Sequence, residues 1–219
     1  MPSCNPVNWF EIIKAGAEIL LSLVAIVISI IAIRQTKNQT ELSNKQHLFD
    51  RRLENYHIIK SLLSQYKDSR NVITSLDKQT FTWEFYCGYY LETTYLKDIE
   101  FVAEDPLTFD NRVAFNEKNR WLQRVAKETE LIFAEDAANL FKEFCLCYCD
   151  LLEALFYNTS LAAYELEKKL AEQTGKGLSE MYFTDPEQDV SEIVGKIDDL
   201  YSEIDKTGAE RNILKQIML

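Results

Sequence analysis

The stretch AEILLSLVAIVISIIAI, residues 17–33, decides how the rest of this sequence is interpreted. Residues 19–33 carry no formal charge, and at a rise of 1.5 Å per residue they make about 22 Å of helix. The long side chain of Lys14 can reach outward to lipid headgroups, which extends the segment to the roughly 20 residues that a membrane span needs. The sequence therefore predicts a transmembrane helix over residues 14–34.

The residues around this segment predict that it stays attached and define its orientation. A cleavable signal has a basic leader and a small-x-small cleavage site, and neither is found in the leader MPSCNPVNWFEIIK or in IAIRQT. Basic residues concentrate on the C-terminal side, at Arg34, Lys37 and Lys45. Because basic flanks remain in the cytoplasm, we expect a single-pass protein with its N-terminus outside and its C-terminal domain in the cytoplasm.

The small and polar residues of the apolar segment fall on one side of a helix. They follow one another at spacings of 3, 4, 3, 4 and 3, and we call this set the seam: Ala15, Glu18, Ser22, Ala25, Ser29 and Ala32. Small residues with hydroxyls let membrane helices approach closely, so the seam predicts self-association. Three arrangements stay open: a helix contact with an interfacial Glu18, a ring of helices around a wet lumen, and a simple anchor.

Composition predicts an all-α protein with a substantial core. The 219 residues are 47% hydrophobic and contain only six glycines and four prolines, and long Leu, Glu, Lys and Ala stretches favour helices. The predicted organisation is an extracytoplasmic segment 1–13, a transmembrane helix 14–34, a juxtamembrane helix 35–50 and a cytoplasmic helical domain 51–219. A net charge of −11, concentrated after residue 70, argues against broad binding to nucleic acid.

Several element boundaries follow from local patterns in the cytoplasmic part. The span helix is expected to continue through residues 35–70, and the aromatic segment 77–102 is interpreted as a helix that places Phe81, Phe85 and Tyr89 on one face. Residues 103–119 are predicted as a loop. A helical region is then predicted up to residue 177, with a break near Phe133–Asp136. A last helix is predicted to begin at Thr184-Asp185-Pro186-Glu187, and its apolar stripe consists of Val190, Ile193, Ile197, Leu200 and Ile204. A tail helix over 210–219 is expected to dock on its own domain or on a neighbour.

The cysteines point to a reducing compartment rather than to a metal site. The chain has five, an odd number, and three of them lie in FCLCYCD. On a helix Cys145 and Cys149 share a face while Cys147 points away, so the three cannot close around one ion. We expect reduced thiols that act as small apolar side chains, with no metal and no cofactor.

Few residues offer catalytic chemistry, and we expect no enzyme. His47 and His57 are the only histidines, and no phosphate loop, HExxH motif or nucleophile elbow is present. RRLENYH places Arg52 five residues before His57. This R-x4-H arrangement resembles the motif of the HEPN superfamily, helical domains that often cleave RNA as dimers, although Leu53 stands where those motifs have a polar residue. The resemblance implies Arg52 and His57 as catalytic residues; the alternative is a structural arginine that neutralises Asp50 or lipid phosphate, beside a partly buried histidine.

The layout as a whole resembles a group of bacterial accessory proteins. One span followed by a helical domain with this degenerate motif is similar to the small membrane proteins of RNA-targeting type VI-B CRISPR systems. That resemblance implies a protein of the bacterial inner membrane with a HEPN-like helical bundle. It further implies a homo-oligomer that forms a pore and enhances antiviral defence. The implied partners are the lipid bilayer, further copies of the chain, and a defence effector protein or its RNA product. A membrane-tethered HEPN-like ribonuclease and an anchored scaffold remain the alternatives.

Overall fold

The computed structural model describes residues 9–73, 95–103, 105–134, 136–174 and 190–218, with the side chains of residues 11, 12, 15, 69, 71–73, 100 and 103 outside that description. All regular elements within these ranges are helices, which confirms the all-α class. They are α1 (Trp9–Ile73), a 3-10 helix (Lys97–Ala103), α2 (Phe109–Ile132), α3 (Asp136–Thr174), α4 (Val190–Thr207) and α5 (Ala209–Ile217). The predicted helical face of Phe81, Phe85 and Tyr89 and the predicted start at Thr184–Glu187 lie outside the described residues.

The chain divides into two compact units, Met1–Phe49 and Asp50–Leu219. In the first unit, α1 is long and apolar enough to cross a membrane, and none of its apolar window is buried. The core helix of a soluble protein would be largely buried, because apolar side chains leave water by packing on the rest of the fold. The helix therefore has the properties of a single membrane span.

The second unit packs its helices around α3. Contacts join α3 to α2, α4 and α5, and the α1 residues of this unit add buried side chains at helical spacing, from Tyr56 to Tyr66. The largest fully buried side chains of the unit are aromatic or branched: Tyr66, Tyr148, Phe115, Phe141, Phe144, Ile58, Ile59 and Leu62. Burial of these groups supplies the main driving force for folding of this unit.

The start of α2 differs from the sequence prediction. The loop predicted over residues 103–119 is wrong beyond residue 108, because α2 already begins at Phe109. Asp105 anchors the turn before it by accepting a hydrogen bond from Asn111 Nδ2 at its carbonyl, 2.7 Å away. Asp110 and Arg112 of the first turn are exposed and Asn111 is half-buried, whereas Phe115 is buried. The segment looks like a loop in sequence because its first turns present a solvated face and Phe115 supplies the first buried apolar side chain.

The segment predicted as a helix over residues 77–102 ends, where it is described, in a turn at 95–96 and the 3-10 helix Lys97–Ala103. The other boundaries agree with the predictions where the structure describes them. A break separates Ile132 from Asp136, and α3 ends at Thr174. The stripe of α4 is buried at Val190, Ile197 and Ile204, with Ile193 and Leu200 packed against the core. Gly208, with φ of 65°, joins α4 to α5 in a left-handed conformation that glycine adopts without strain. The tail helix α5 buries Ile213 and Ile217 within its own unit, which answers the question of where it docks.

Candidate functional site

The seam is fully accessible in the first unit. Its described members, Glu18, Ser22, Ala25, Ser29 and Ala32, are all exposed. Ala15 belongs to α1, but its side chain lies outside the described residues. No described side chain of the chain packs over this face, so its small residues are free to approach another helix.

The seam hydroxyls are satisfied within the helix. Ser22 Oγ donates to the carbonyl oxygen of Glu18 and Ser29 Oγ to that of Ala25, both at 2.8 Å. Thr36 Oγ1 repeats the pattern with the carbonyl of Ala32 at 2.9 Å. These back-bonds remove the cost of an unpaired donor in hydrocarbon, and each hydroxyl oxygen keeps lone pairs for a second donor. The seam can therefore face lipid, a neighbouring helix or water.

Glu18 is the chemically distinctive member of the seam. Among the described residues, no donor reaches its carboxylate by a hydrogen bond or an ion pair. A carboxylate near the end of a span is costly unless it meets water, headgroups or a polar partner. At this end of the seam, the Glu18 carboxylate would therefore be solvated by water or contacted by a polar group of a second copy.

Arg52 holds two helix ends together in the second unit. Its Nε donates to the carbonyl oxygen of Ile132 and its Nη1 to that of Gln216, each at 2.7 Å. Ile132 is the last residue of α2, and Gln216 lies in the last turn of α5. The final carbonyls of a helix lack partners inside the helix and carry partial negative charge. The guanidinium therefore neutralises two helix C-termini at once.

Gln216 strengthens the same junction with its side chain. Its Oε1 accepts from the backbone N–H of Ala134 at 2.7 Å, and its Nε2 donates to the carbonyl of Ala134 at 3.0 Å. The Arg52 guanidinium also lies 5.8 Å from the ring centroid of Phe133. The end of α2, the α2–α3 connection and the end of α5 thus converge on one arginine.

The other residues of the R-x4-H motif are placed differently. His57 is exposed, not partly buried, and its ring lies 5.7 Å from that of Tyr56. Arg51 pairs with Glu128 at 3.4 Å. Five helical residues rotate the chain by about 140°, so Arg52 and His57 point in different directions on α1. The observed partners of Arg52 are helix carbonyls rather than Asp50.

Two polar clusters tie α1 to the C-terminal helices. Asp198 accepts from Tyr66 Oη at 2.8 Å and from Arg70 at 2.6 and 2.9 Å. Glu210 accepts from Tyr56 Oη at 2.8 Å and pairs with Lys60 Nζ at 2.9 Å. Hydrogen bonding by Lys60 and then by Tyr56 lowers the pKa of the Glu210 carboxyl despite its partial burial. These clusters are bridges between helices and contain no reactive nucleophile.

Lowering the pH is expected to weaken the Asp198 cluster. The Arg70 hydrogen bonds, with a smaller contribution from Tyr66, hold the pKa of Asp198 below its ordinary value. A depressed folded-state pKa means that the stabilisation is complete above the unfolded pKa, about 3.9, and is lost as the pH falls through the lower folded value.

Urea unfolding of the wild type and of Asp198→Asn, monitored between neutral pH and the acid limit of folding, checks this expectation. The stability difference between the two should shrink below about pH 4. A difference that stays constant across this window would contradict the assignment.

The cysteine trio lies in the core. Cys145, Cys147 and Cys149 are buried free thiols, as predicted for small apolar side chains. Cys145 Sγ lies 3.7 Å from the carbonyl oxygen of Leu122, whereas Cys147 Sγ lies 3.8 Å from that of Ile193 on the other side. Burial raises the pKa of Cys147 to about 11, so the reactive thiolate is disfavoured. Within the described residues no group of three His, Cys, Asp or Glu side chains could hold a metal ion.

No protein family, curated protein or solved structure compared with this chain matches it. The features that bear on function are therefore the seam of the first unit and the charged surfaces of the second.

Proposed function

We propose that the protein is a homo-oligomeric, single-span protein of the bacterial inner membrane whose copies pack along the seam and surround a water-filled pore. The observation that carries the proposal is the combination of exposure and chemistry in the first unit. The seam has small residues and internally bonded hydroxyls, and every described member is exposed. A ring of such helices would direct Glu18, Ser22 and Ser29 toward water and leave Leu, Ile and Val toward lipid.

The biological setting of the proposal comes from the resemblance to the type VI-B accessory proteins. In that setting the pore permeabilises or depolarises the inner membrane and enhances defence against phage. The cytoplasmic location of the second unit comes from the basic residues that follow the span. A defence effector protein or its RNA product would then act on the second unit.

The placement of Arg52 favours this proposal over a ribonuclease. Two of its guanidinium nitrogens already donate to the Ile132 and Gln216 carbonyls at 2.7 Å. A catalytic role in stabilising a phosphate would require Arg52 to leave these partners, and two helix ends would then lose their cap.

Release of a small dye from liposomes that contain the purified chain tests the pore. Glu18→Leu combined with Ser22→Leu is expected to abolish release, because both changes replace polar groups of the lumen with apolar ones. Ala25→Leu is expected to abolish release as well, because its added bulk prevents close helix approach. Val27→Leu is the matched control: it lies two residues from Ala25, about 200° around the helix, and should leave release unchanged.

The number of subunits in a gentle detergent completes the test. A closed ring that seam variants disrupt supports the proposal. Undiminished dye release from the Ala25→Leu and Glu18→Leu/Ser22→Leu proteins would contradict the pore. A stable dimer without release would instead indicate the anchored scaffold.

A further inference from the structure

A concavity between α1 and α2 in the second unit has the properties of a small binding site. One face of each helix lines it. The lining residues are Arg51, Glu54, Asn55 and Ile58 of α1 and Trp121, Arg124, Val125 and Glu128 of α2. Its volume is about 250 Å³, slightly below the range of sites for drug-sized ligands. It therefore has room for one small polar group and a short attachment.

Asn55 gives this concavity an unused hydrogen-bond donor. The residue lines the concavity and is only 4% exposed. Among the described residues, no acceptor makes a hydrogen bond with its Nδ2. A buried donor without a partner is costly, so native structures satisfy such groups with a protein, water or ligand acceptor. An acceptor oxygen from a ligand would satisfy it.

Arg124 places a positive charge at the same concavity. Its guanidinium has no ion-pair partner among the described side chains, whereas Arg51 on the opposite wall is paired with Glu128 at 3.4 Å. Glu54, which also lines the concavity, is exposed to water. Among the described residues that line the concavity, the groups without a hydrogen-bond or ion-pair partner are the Asn55 amide N–H, the Arg124 guanidinium, the Trp121 indole N–H and the Glu54 carboxylate. Three of these four groups are donors.

The surface next to Arg124 strengthens the local positive field. Arg120, Arg124 and Lys127 line a second concavity on α2, together with Glu117 and Gln123. The three cations recur at spacings of four and three residues, so they share one helix face. They outnumber the single carboxylate of that concavity, and Arg124 belongs to both.

We propose that the α1–α2 concavity binds the phosphate group of a phosphate monoester, with Asn55 Nδ2 and the Arg124 guanidinium donating to its oxygens. A dianionic phosphate offers several acceptor oxygens to these donors, and arginine recognises such groups bidentately. The phosphate could belong to a soluble nucleotide or to a lipid headgroup that ends in a phosphate monoester, as in phosphatidic acid. The proposal is independent of the pore, because it concerns only residues of the second unit.

Isothermal titration calorimetry on the full chain in detergent, at about 0.1 M salt, tests the site. The probes are inorganic phosphate, AMP, adenosine and glycerol 3-phosphate. AMP should bind whereas adenosine, which lacks the phosphate, should not. Tighter binding of AMP than of glycerol 3-phosphate assigns a nucleotide, and the reverse order assigns a lipid headgroup.

Three variants locate the binding. Arg124→Gln and Asn55→Leu should each weaken the binding of the tighter probe at least tenfold, since each removes a donor to a charged group. Arg112→Gln, an exposed arginine on the same helix but outside the concavity, should change it less than about twofold. Asn55→Leu should also fold with an unchanged or raised melting temperature, because it removes an unpaired buried donor.

Three results would overturn the proposal. They are the absence of binding of inorganic phosphate, AMP and glycerol 3-phosphate up to about 5 mM, binding that persists in Arg124→Gln, and an equal loss in Arg112→Gln. The last result would indicate general attraction of anions to a basic helix rather than a built site. Because Arg124 is exposed, its variant remains informative even if Asn55→Leu fails to fold.

Discussion

Arg52→Ala is expected to lower the free energy of unfolding of the second unit by about 2–4 kcal/mol, because two charge-assisted hydrogen bonds are lost and two helix-end carbonyls are left without their donor. For a unit of this size the melting temperature should fall by roughly 5–15 °C. Near-ultraviolet circular dichroism of the full chain in detergent measures the change, since it reports side-chain packing and not the helix content of the span.

His57→Ala is the matched control on the same helix. His57 is exposed and makes no hydrogen bond within the described part of the chain, so its loss should cost less than about 0.5 kcal/mol. Arg52→Lys should fall between the two, because an ammonium cannot reproduce the fork that reaches both Ile132 and Gln216. Equal stability of Arg52→Ala and His57→Ala would contradict the structural role of Arg52.

The same pair of variants separates the two interpretations of the R-x4-H motif. A HEPN-like ribonuclease would lose RNA cleavage in both Arg52→Ala and His57→Ala, while a helix-end cap predicts a stability defect in Arg52→Ala alone. Metal-independent cleavage of RNA by the purified wild-type chain that disappears in His57→Ala would favour the ribonuclease.

Local periodicity made much of the fold predictable. The uninterrupted apolar and then amphipathic pattern of α1, and the stripe of α4 from Val190 to Ile204, specify helices because each needs only residues close in sequence. The break before Asp136 was predictable because it, too, depends only on residues close in sequence. The early start of α2 was not, since Asp110 and its polar neighbours form a solvated first turn that resembles a loop in sequence.

The contacts of the second unit depend on long-range packing that no local pattern encodes. The carbonyls that Arg52 reaches lie 80 and 164 residues away in sequence. Asn55 and Arg124 likewise come from different helices, and only their packing forms the concavity. Recurrence of charged residues at spacings of three and four on α2 was the one available signal, and it is common on ordinary solvated helices.

Phe144→Ala is expected to be the most destabilising single substitution that we propose, at about 3–5 kcal/mol. Phe144 is 0% exposed, and its ring lies 6.2 Å from that of Tyr66 on α1 and 6.1 Å from that of Tyr148 on α3. Truncation removes the transfer free energy of the ring and leaves a cavity at the centre of α3's contacts. Urea unfolding of the full chain in detergent measures the loss.

Phe109→Ala provides the matched control, since it makes the same chemical change at a side chain that is 75% exposed. It should alter stability by less than about 0.5 kcal/mol. Similar losses in both variants would show that Phe144 is not at the centre of the core. Dye release by Phe144→Ala then reports whether pore formation needs a folded second unit. If release persists, the seam alone forms the pore. If release disappears while the chain stays in the membrane, the second unit is required for assembly.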